Sequence, residues 1–250
     1  MNKWAQKLCN TRKLPPYAQV IKLASKKYWE KFLSILILFT SVAVAEESTC
    51  YGTTSDGRLE NGVKLPASGT NFEGYSTIAR AAGRTYVHSH VSEIILAAYK
   101  SLETTNPDKL FKYAETGFEE GGQFKPHKTH RNGLSIDFMV SVIDKTGKSV
   151  HLPTHPFNKF GYNIEFSNDG TYEEFTIDYE AMAAHIVALH KESIKRGYDL
   201  WRVIFDPQLQ PNLFKTKHGN YLAKNIQFSK KPSWVRHDEH YHVDFAIPCK

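Results

Sequence analysis

Polar and apolar residues alternate near the end of the chain, from His240 to Phe245. One face of this pattern carries Tyr241, Val243 and Phe245, and the other carries His240, His242 and Asp244. A period of two residues predicts a β-strand with one buried face. Two imidazoles side by side on a rigid strand favour metal binding. They need a further protein ligand from elsewhere, because a catalytic zinc ion usually has three.

Alternation of the same kind predicts further strands. Residues 133–143 place Leu134, Ile136 and Phe138 on one face and Ser135 and Asp137 on the other, and a turn follows at 144–147. Shorter strands are predicted at 110–114 and 201–205. Residues 46–75 are rich in Gly, Ser, Thr and Asn, which predicts an irregular entry segment on the surface.

Helical spacing of apolar positions appears twice. It covers residues 91–102 and, most clearly, 179–196, where Asp178 is a candidate N-cap and Gly197 a stop. A short amphipathic piece spans 212–214. The order of elements predicts one α+β domain, residues 46–250, with a central antiparallel sheet, helices packed on one side and the metal site on the sheet.

Residues 1–45 differ from the rest in charge. They hold eight Lys or Arg against one acid, Glu30, which leaves 24 basic and 25 acidic residues for the remainder. The basic region is followed by an apolar run, Phe32 to Ala45, that ends in Ala-Val-Ala. This arrangement predicts a secretory signal peptide cleaved after Ala45. An uncleaved membrane anchor and a downstream start near Lys26 remain alternatives, and both leave the domain exported.

The near-neutral remainder has no electrostatic footprint for nucleic acid, so no nucleic-acid partner is expected. Cys9 lies in the leader, and Cys50 and Cys249 lie at the two extremes of the mature chain. In an oxidising compartment they predict one disulfide that joins the termini. Lipidation of Cys50 is the alternative.

The missing ligands are expected in a Gly-bearing loop, residues 116–132, and the strand after it. Gly133 and the β-branched and aromatic residues that follow argue against a helix here. We expect Asp137 to point off the strand and Gly133 to let the loop turn back, so that His130 reaches the same ion. One carboxylate and two imidazoles suit Zn²⁺.

The pattern His130-x-x-Gly133-x-x-x-Asp137 followed by His240-x-His242 resembles the zinc peptidases that include lysostaphin, D-Ala-D-Ala carboxypeptidases and the hedgehog signalling domain. The chain is more closely similar to the penicillin-insensitive murein endopeptidases. The residues that carry this closer resemblance are His127, three before His130, His237, three before His240, and Trp234. Asp244 departs from that family, which commonly has a basic residue there.

The resemblance implies a role for each residue. His130, Asp137 and His242 would hold the zinc ion, and His240 would act as general base or orient the attacking water. His127 and His237 would lie behind the ligands or contact the substrate and the tetrahedral intermediate. A zinc ion would lower the pKa of its water and polarise the scissile carbonyl.

The remaining polar candidates have ordinary explanations. His88-Ser-His90 is a second H-x-H, but it comes just before a helix and lacks a carboxylate pattern. We expect surface or capped residues at the other histidines, which are His151, His155, His185, His190 and His218. Asp244 orients a histidine on one interpretation. Gly121 and Gly122 are either backbone contacts for a peptide or turns in the loop.

The sequence and its resemblance therefore predict a periplasmic zinc metallo-endopeptidase that cuts peptide cross-links of peptidoglycan. One alternative is a D,D- or L,D-carboxypeptidase that acts on stem peptides. Another is a non-catalytic, zinc-containing wall-binding module, against which the intact His240 argues. A wall-opening effector or secretion-system component would share the chemistry. A membrane contact is expected only if the leader stays uncleaved, and the oligomeric state is open.

Overall fold

The strand that carries His240 and His242 is an internal strand of a five-stranded sheet. The structure, a computed structural model, describes residues 46–250, so the predicted leader at 1–45 lies outside the described residues. The strands of this range are β1 (Thr49–Gly52), β2 (Gly57–Glu60), β3 (Val63–Lys64), β4 (Phe72–Gly74), β5 (Tyr86–Val87), β6 (Phe111–Tyr113), β7 (Ser135–Met139), β8 (Val142–Ile143), β9 (Ser149–Val150), β10 (Thr171–Tyr172), β11 (Phe175–Ile177), β12 (Asp199–Ile204) and β13 (His240–Ala246). The helices are α1 (Thr77–Ala81), α2 (Ser89–Thr105), α3 (Tyr179–Lys195), α4 (Gln210–Phe214) and α5 (Gly219–Asn225), and a 3-10 segment covers Pro156–Gly161.

The main sheet has the order β12-β13-β7-β6-β4. Its pairs are antiparallel except for the edge pair β6 and β4, which is parallel. In the register of β13 with β7, His242 lies opposite Asp137 and Asp244 lies opposite Ser135. The α+β fold with a largely antiparallel sheet is therefore confirmed, and strand pairing brings two of the predicted ligands together.

Helices α2 and α3 cover one face of this sheet. Tyr99 of α2 packs against Phe111 of β6, and His185 of α3 packs edge-on against Phe138 of β7. The Asp178 carboxylate caps α3 by accepting a hydrogen bond from the backbone N–H of Ala181 at 3.0 Å. The helices on one side are thus as predicted, and the capping residue was correctly identified from the sequence.

The other face of the sheet is also covered, which the sequence did not predict. All residues of β13 except the last are buried, although alternation had indicated only one buried face. Tyr162, just after the 3-10 segment, and His127, from the loop at 116–132, contact each other above the polar face. A loop and a 3-10 segment cover this face. Its polar residues are therefore enclosed and must form hydrogen bonds or ion pairs with one another.

Two local predictions were wrong. Residues 46–75 form the antiparallel hairpin β1–β2 and the strands β3 and β4, and their side chains Leu59, Leu65 and Tyr75 are buried. The predicted strand at 133–143 is divided, because β7 belongs to the main sheet and β8 to a separate sheet of order β10-β11-β8-β9. Strands of two to four residues are too short for their alternation to stand out from a loop.

Cys50 and Cys249 form the predicted disulfide, across a sequence separation of 199 residues. The backbone of Lys250 pairs with Cys50 and Gly52 of β1 at 3.0 and 3.1 Å, so the two ends of the described chain are also joined by hydrogen bonds. Among residues 46–250, no helix combines the length and the apolar character needed to cross a membrane.

Replacing both Cys50 and Cys249 by Ser should lower the free energy of unfolding by a few kcal/mol, with about 5 kcal/mol as the upper end for so long a loop. The physical reason is that the cross-link restricts the unfolded chain. Urea titration of the oxidised protein against the double variant measures the effect. Reductant should lower the unfolding midpoint of the wild-type protein and leave that of the double variant unchanged. Equal midpoints for both proteins would show that the disulfide adds no stability.

His185 and His190 correct another expectation, because both are buried rather than on the surface. The ring of His185 stacks on Tyr99 at 5.0 Å and its Nδ1 is hydrogen-bonded to the hydroxyl of Tyr241, while its buried Nε2 has no partner. Burial lowers the pKa of His185 to about 3. The folded protein therefore keeps this ring neutral while the unfolded chain, with an ordinary pKa of about 6.5, takes up a proton.

It follows that His185 makes the free energy of unfolding fall as the pH falls from about 6.5 to 3, by up to roughly 1.4 kcal/mol per pH unit. In a Tyr241→Phe background, where no hydroxyl is left unpaired, His185→Leu should reduce that slope. Denaturant titrations at several pH values would measure it. The exposed His155, changed to Leu, provides the control and should leave the slope as it was. An unaltered slope in the His185 variant would contradict the assignment.

Candidate metal centre

The carboxylate of Asp137 is the centre of the site. It lies on β7, 1% exposed, with Oδ1 at 2.8 Å from His242 Nδ1 and 3.3 Å from His130 Nε2. Burial alone would raise the pKa of Asp137, but the charges of His130 and His240 outweigh it and hold the pKa well below its usual value. The group is therefore an anion enclosed by imidazoles.

His130 reaches this carboxylate because the loop turns back on itself. His130 and Gly133 both have a positive φ, 69° and 76°. A Cβ at Gly133 would lie 2.6 Å from a methyl of Leu59 and 2.8 Å from the backbone N of His88, so only glycine fits there. The predicted role of Gly133 in the turn is supported by this geometry.

The ring of His130 is held through Nδ1, the nitrogen that points away from Asp137. Its Nδ1 donates to the carbonyl oxygen of Thr116 at 2.9 Å. Its Nε2 is buried, points at Asp137 and has no hydrogen-bond partner. A buried polar atom without a partner is costly, and an imidazole nitrogen of this kind beside a carboxylate fits a metal ligand, whose other N–H is normally donated to a carbonyl or carboxylate.

His242 is oriented by Asp244. Its Nε2 lies 2.8 Å from Asp244 Oδ1, which leaves Nδ1 facing Asp137. The Asp244 carboxylate also accepts from Ser135 Oγ at 2.5 Å and from Arg202 Nε at 2.6 Å. Burial lowers the pKa of His242, but the two carboxylates outweigh it and raise that pKa to about 10. The interpretation of Asp244 as an orienting carboxylate thus agrees with its contacts.

His127 belongs to the same cluster. Its Nε2 lies 2.6 Å from Glu115 Oε2, and its Nδ1 lies 3.8 Å from Asp137 Oδ2. One nitrogen each from His127 and His130 and one oxygen of Asp137 lie within 4.8 Å of one another and could hold a metal ion. The sequence predicted His242 in place of His127. Both sets share His130 and Asp137, and both histidines face the Asp137 carboxylate.

His240 and His237 form the wall next to the carboxylate. His240 Nε2 lies 3.8 Å from Asp137 Oδ2, and its ring centroid is 4.6 Å from that of His237. Burial lowers the pKa of His240, but Glu239 and Asp137 outweigh it and raise that pKa. A cation held at Asp137 would instead lower the pKa of His240. Burial and the charge of His240 lower the pKa of His237 to about 4.

Three side chains of the site were missed by sequence reasoning. The hydroxyl of Tyr162 donates to Asp137 Oδ2 at 2.9 Å. Glu115 holds His127, and Glu239 Oε1 lies 2.7 Å from His240 Nδ1. Only Glu239 had a signal in the sequence, because it directly precedes a predicted catalytic histidine. Tyr162 and Glu115 lie in segments without a motif and reach the site through the tertiary fold.

A cleft of about 620 Å³ opens above these groups, and its lining includes all six predicted site residues except His130, which is buried beneath it. Trp234 lies on the rim, 53% exposed, with the ammonium of Lys128 5.7 Å from its ring centroid. Other candidates lie elsewhere. His88 caps α2, and Gly121 makes a turn where a Cβ would meet the Arg131 carbonyl at 2.2 Å. The second H-x-H therefore takes no part in the cleft.

Comparison with families of known proteins agrees with this arrangement. The family model described as penicillin-insensitive murein endopeptidase matches residues 50–250. The chain belongs to this family. It is therefore a member of a group of murein hydrolases, and the match covers the whole of the described fold apart from its first residues. A search of curated protein sequences finds no significant match.

Which imidazoles of this murein endopeptidase homologue could hold a metal ion can be tested by measuring the metal content of variants. We expect His130→Ala and Asp137→Ala to lose the ion. His242→Ala should weaken binding by more than the roughly 10- to 100-fold that loss of an orienting partner costs, whereas His127→Ala should retain the ion. Competition with a chromophoric chelator measures the affinities. His90→Ala, in the second H-x-H, is the matched control. Loss of metal in His127→Ala with retention in His242→Ala would reverse the predicted ligand set.

Proposed function

We propose that this murein endopeptidase homologue is a zinc metallo-endopeptidase that hydrolyses peptide cross-links of peptidoglycan. The observation that supports it best is the unpartnered Nε2 of buried His130, 3.3 Å from Asp137 Oδ1, with His242 Nδ1 2.8 Å from the same oxygen. Two imidazoles and one carboxylate are a common ligand set of catalytic zinc and leave a position open. The proposed ligands are His130, Asp137 and His242.

A bound zinc ion supplies Lewis acidity for activating water and polarising the scissile carbonyl. The proton transfers are carried out by a side chain of the protein. His240, whose Nε2 faces Asp137 and the cleft, accepts a proton from the attacking water and returns it to the amine that leaves. Water thus adds across the amide, the C–N bond breaks, and a carboxylate and an amine are released.

His127 and His237 are proposed to contact the substrate. Both line the cleft, and each has one ring nitrogen engaged by the protein, by Glu115 in one case and by the Val235 carbonyl at 2.9 Å in the other. The remaining nitrogens are thereby fixed in direction before substrate binds, which reduces the reorganisation that catalysis requires.

We further propose that residues 1–45 are a signal peptide removed after Ala45 and that the enzyme acts in the periplasm. The Cys50–Cys249 disulfide supports this, since structural disulfides persist mainly in oxidising compartments. Mass measurement of the mature protein should give an N-terminus at Glu46. A protein that keeps its leader would instead indicate an uncleaved anchor that faces the periplasm.

Digestion of purified cross-linked peptidoglycan by residues 46–250 tests the proposal. We expect dimeric muropeptides to disappear, the loss to be blocked by a chelator, and activity to return with zinc. Masses of the products identify the bond. His240→Ala should retain zinc but lose turnover by a factor in the range of about 10² to 10⁴ that a general base contributes.

Other outcomes have distinct meanings. Release of a terminal D-alanine alone would indicate a carboxypeptidase. Zinc binding without any cleavage would indicate a wall-binding module. Full activity of His240→Ala would contradict the assignment of the base while leaving the proposed metallopeptidase intact.

A further inference from the structure

Glu239 is a buried carboxylate with a single charged partner. It is 6% exposed and directly precedes β13. Its backbone is fixed, because its carbonyl oxygen accepts a hydrogen bond from the N–H of Val140 at 3.0 Å. Its side-chain Oε1 lies 2.7 Å from His240 Nδ1. Within residues 46–250, no lysine or arginine pairs with this carboxylate, and His240 is its one ion-pair partner.

Such a group is costly to bury, and its one ion-pair partner among residues 46–250 is His240. Removing a carboxylate from water is unfavourable unless cations and hydrogen bonds compensate. The neighbouring Asp238 has that compensation from Arg236 and from the backbone N–H of Phe166. Glu192 on α3 is about as buried, with 7% of its surface exposed, and it pairs with Lys195 and Arg196. Glu239 lacks such partners, so its contact with His240 is the feature that needs a reason.

The contact determines how His240 meets the cleft. A carboxylate accepts the proton of Nδ1, so the lone pair of the neutral ring is placed on Nε2. That atom faces Asp137 Oδ2 at 3.8 Å. Tyr162 and His237 flank the ring, with centroid distances of 4.9 and 4.6 Å, but neither is hydrogen-bonded to it. Packing thus confines the plane of the ring, while Glu239 selects which edge points inward.

We infer that Glu239 is a positioning residue that fixes the orientation and tautomer of His240, so that Nε2 is presented to the reacting groups. The inference deepens the proposed function and rests on it for its kinetic consequences. Its structural content, the tautomer of one imidazole, is independent of any activity.

The kinetic test uses a defined cross-linked muropeptide dimer and the zinc-loaded enzyme. Glu239→Ala should lower kcat about 10- to 100-fold, the cost typical of losing a carboxylate that orients a functional histidine, with KM, zinc content and the unfolding midpoint close to those of the wild type. Glu239→Gln should recover part of the loss, because its amide oxygen can still accept the Nδ1 proton. Glu192→Gln is the matched control, which should lower the unfolding midpoint and leave kcat unchanged.

A double-variant cycle separates positioning from a general structural effect. If Glu239 acts through His240, Glu239→Ala should cause no further loss of kcat in a His240→Ala background. Additive losses in the cycle, or a kcat of Glu239→Ala equal to that of the wild type, would overturn the inference.

The tautomer can be observed directly. Long-range ¹⁵N NMR of histidine-labelled, zinc-loaded protein should show the Nδ1–H tautomer for His240 in the wild type and a mixture in Glu239→Ala. The same tautomer in both proteins would also overturn the inference. A wild-type enzyme that cleaves nothing would defeat the proposed function, and the NMR comparison would still decide the role of Glu239.

Discussion

The structure depends on one buried negative charge, the carboxylate of Asp137, opposite His242 in the interior of the sheet. Enclosing a carboxylate is unfavourable unless cations or donors surround it. Here His130, His242 and the hydroxyl of Tyr162 all lie within hydrogen-bonding or near-contact distance of its oxygens. The β7–β13 register and the turn of the loop before β7 are both required to bring these groups together, so the local fold and the site cannot vary independently.

Four imidazoles surround that carboxylate, and each makes a polar contact on the side away from it. His130 is held by the Thr116 carbonyl, His242 by Asp244, His127 by Glu115 and His240 by Glu239. In each case the nitrogen away from Asp137 is held by another group, and the second nitrogen faces that carboxylate. Such support orients the groups before substrate arrives, which is the usual requirement for an efficient site.

Asp244 has a basic partner on the adjacent strand. Asp244 replaces the basic residue expected from the family resemblance, and Arg202 of β12, its cross-strand partner, donates to it at 2.6 Å. A basic group therefore still lies near the polar face of β13 and lines the cleft. Asp244 also provides His242 with a carboxylate that orients its ring, 2.8 Å from Nε2.

The sequence alone determined the elements with strong periodicity. Helices α2 and α3 and strand β13 were predicted close to their observed bounds, and the spacing around Gly133 predicted that His130 would turn back toward Asp137. Local patterns suffice there because long amphipathic runs and a glycine with positive φ leave few alternative conformations.

Only the tertiary structure decided the rest. It placed the short strands of residues 46–75 beside the core, divided the strand at 133–143 between two sheets, and buried both faces of β13. It also brought Glu115, Tyr162 and Arg202 to the site from segments that carry no motif. Their roles arise from contacts between residues far apart in the chain, and such contacts depend on how the layers pack and not on local periodicity.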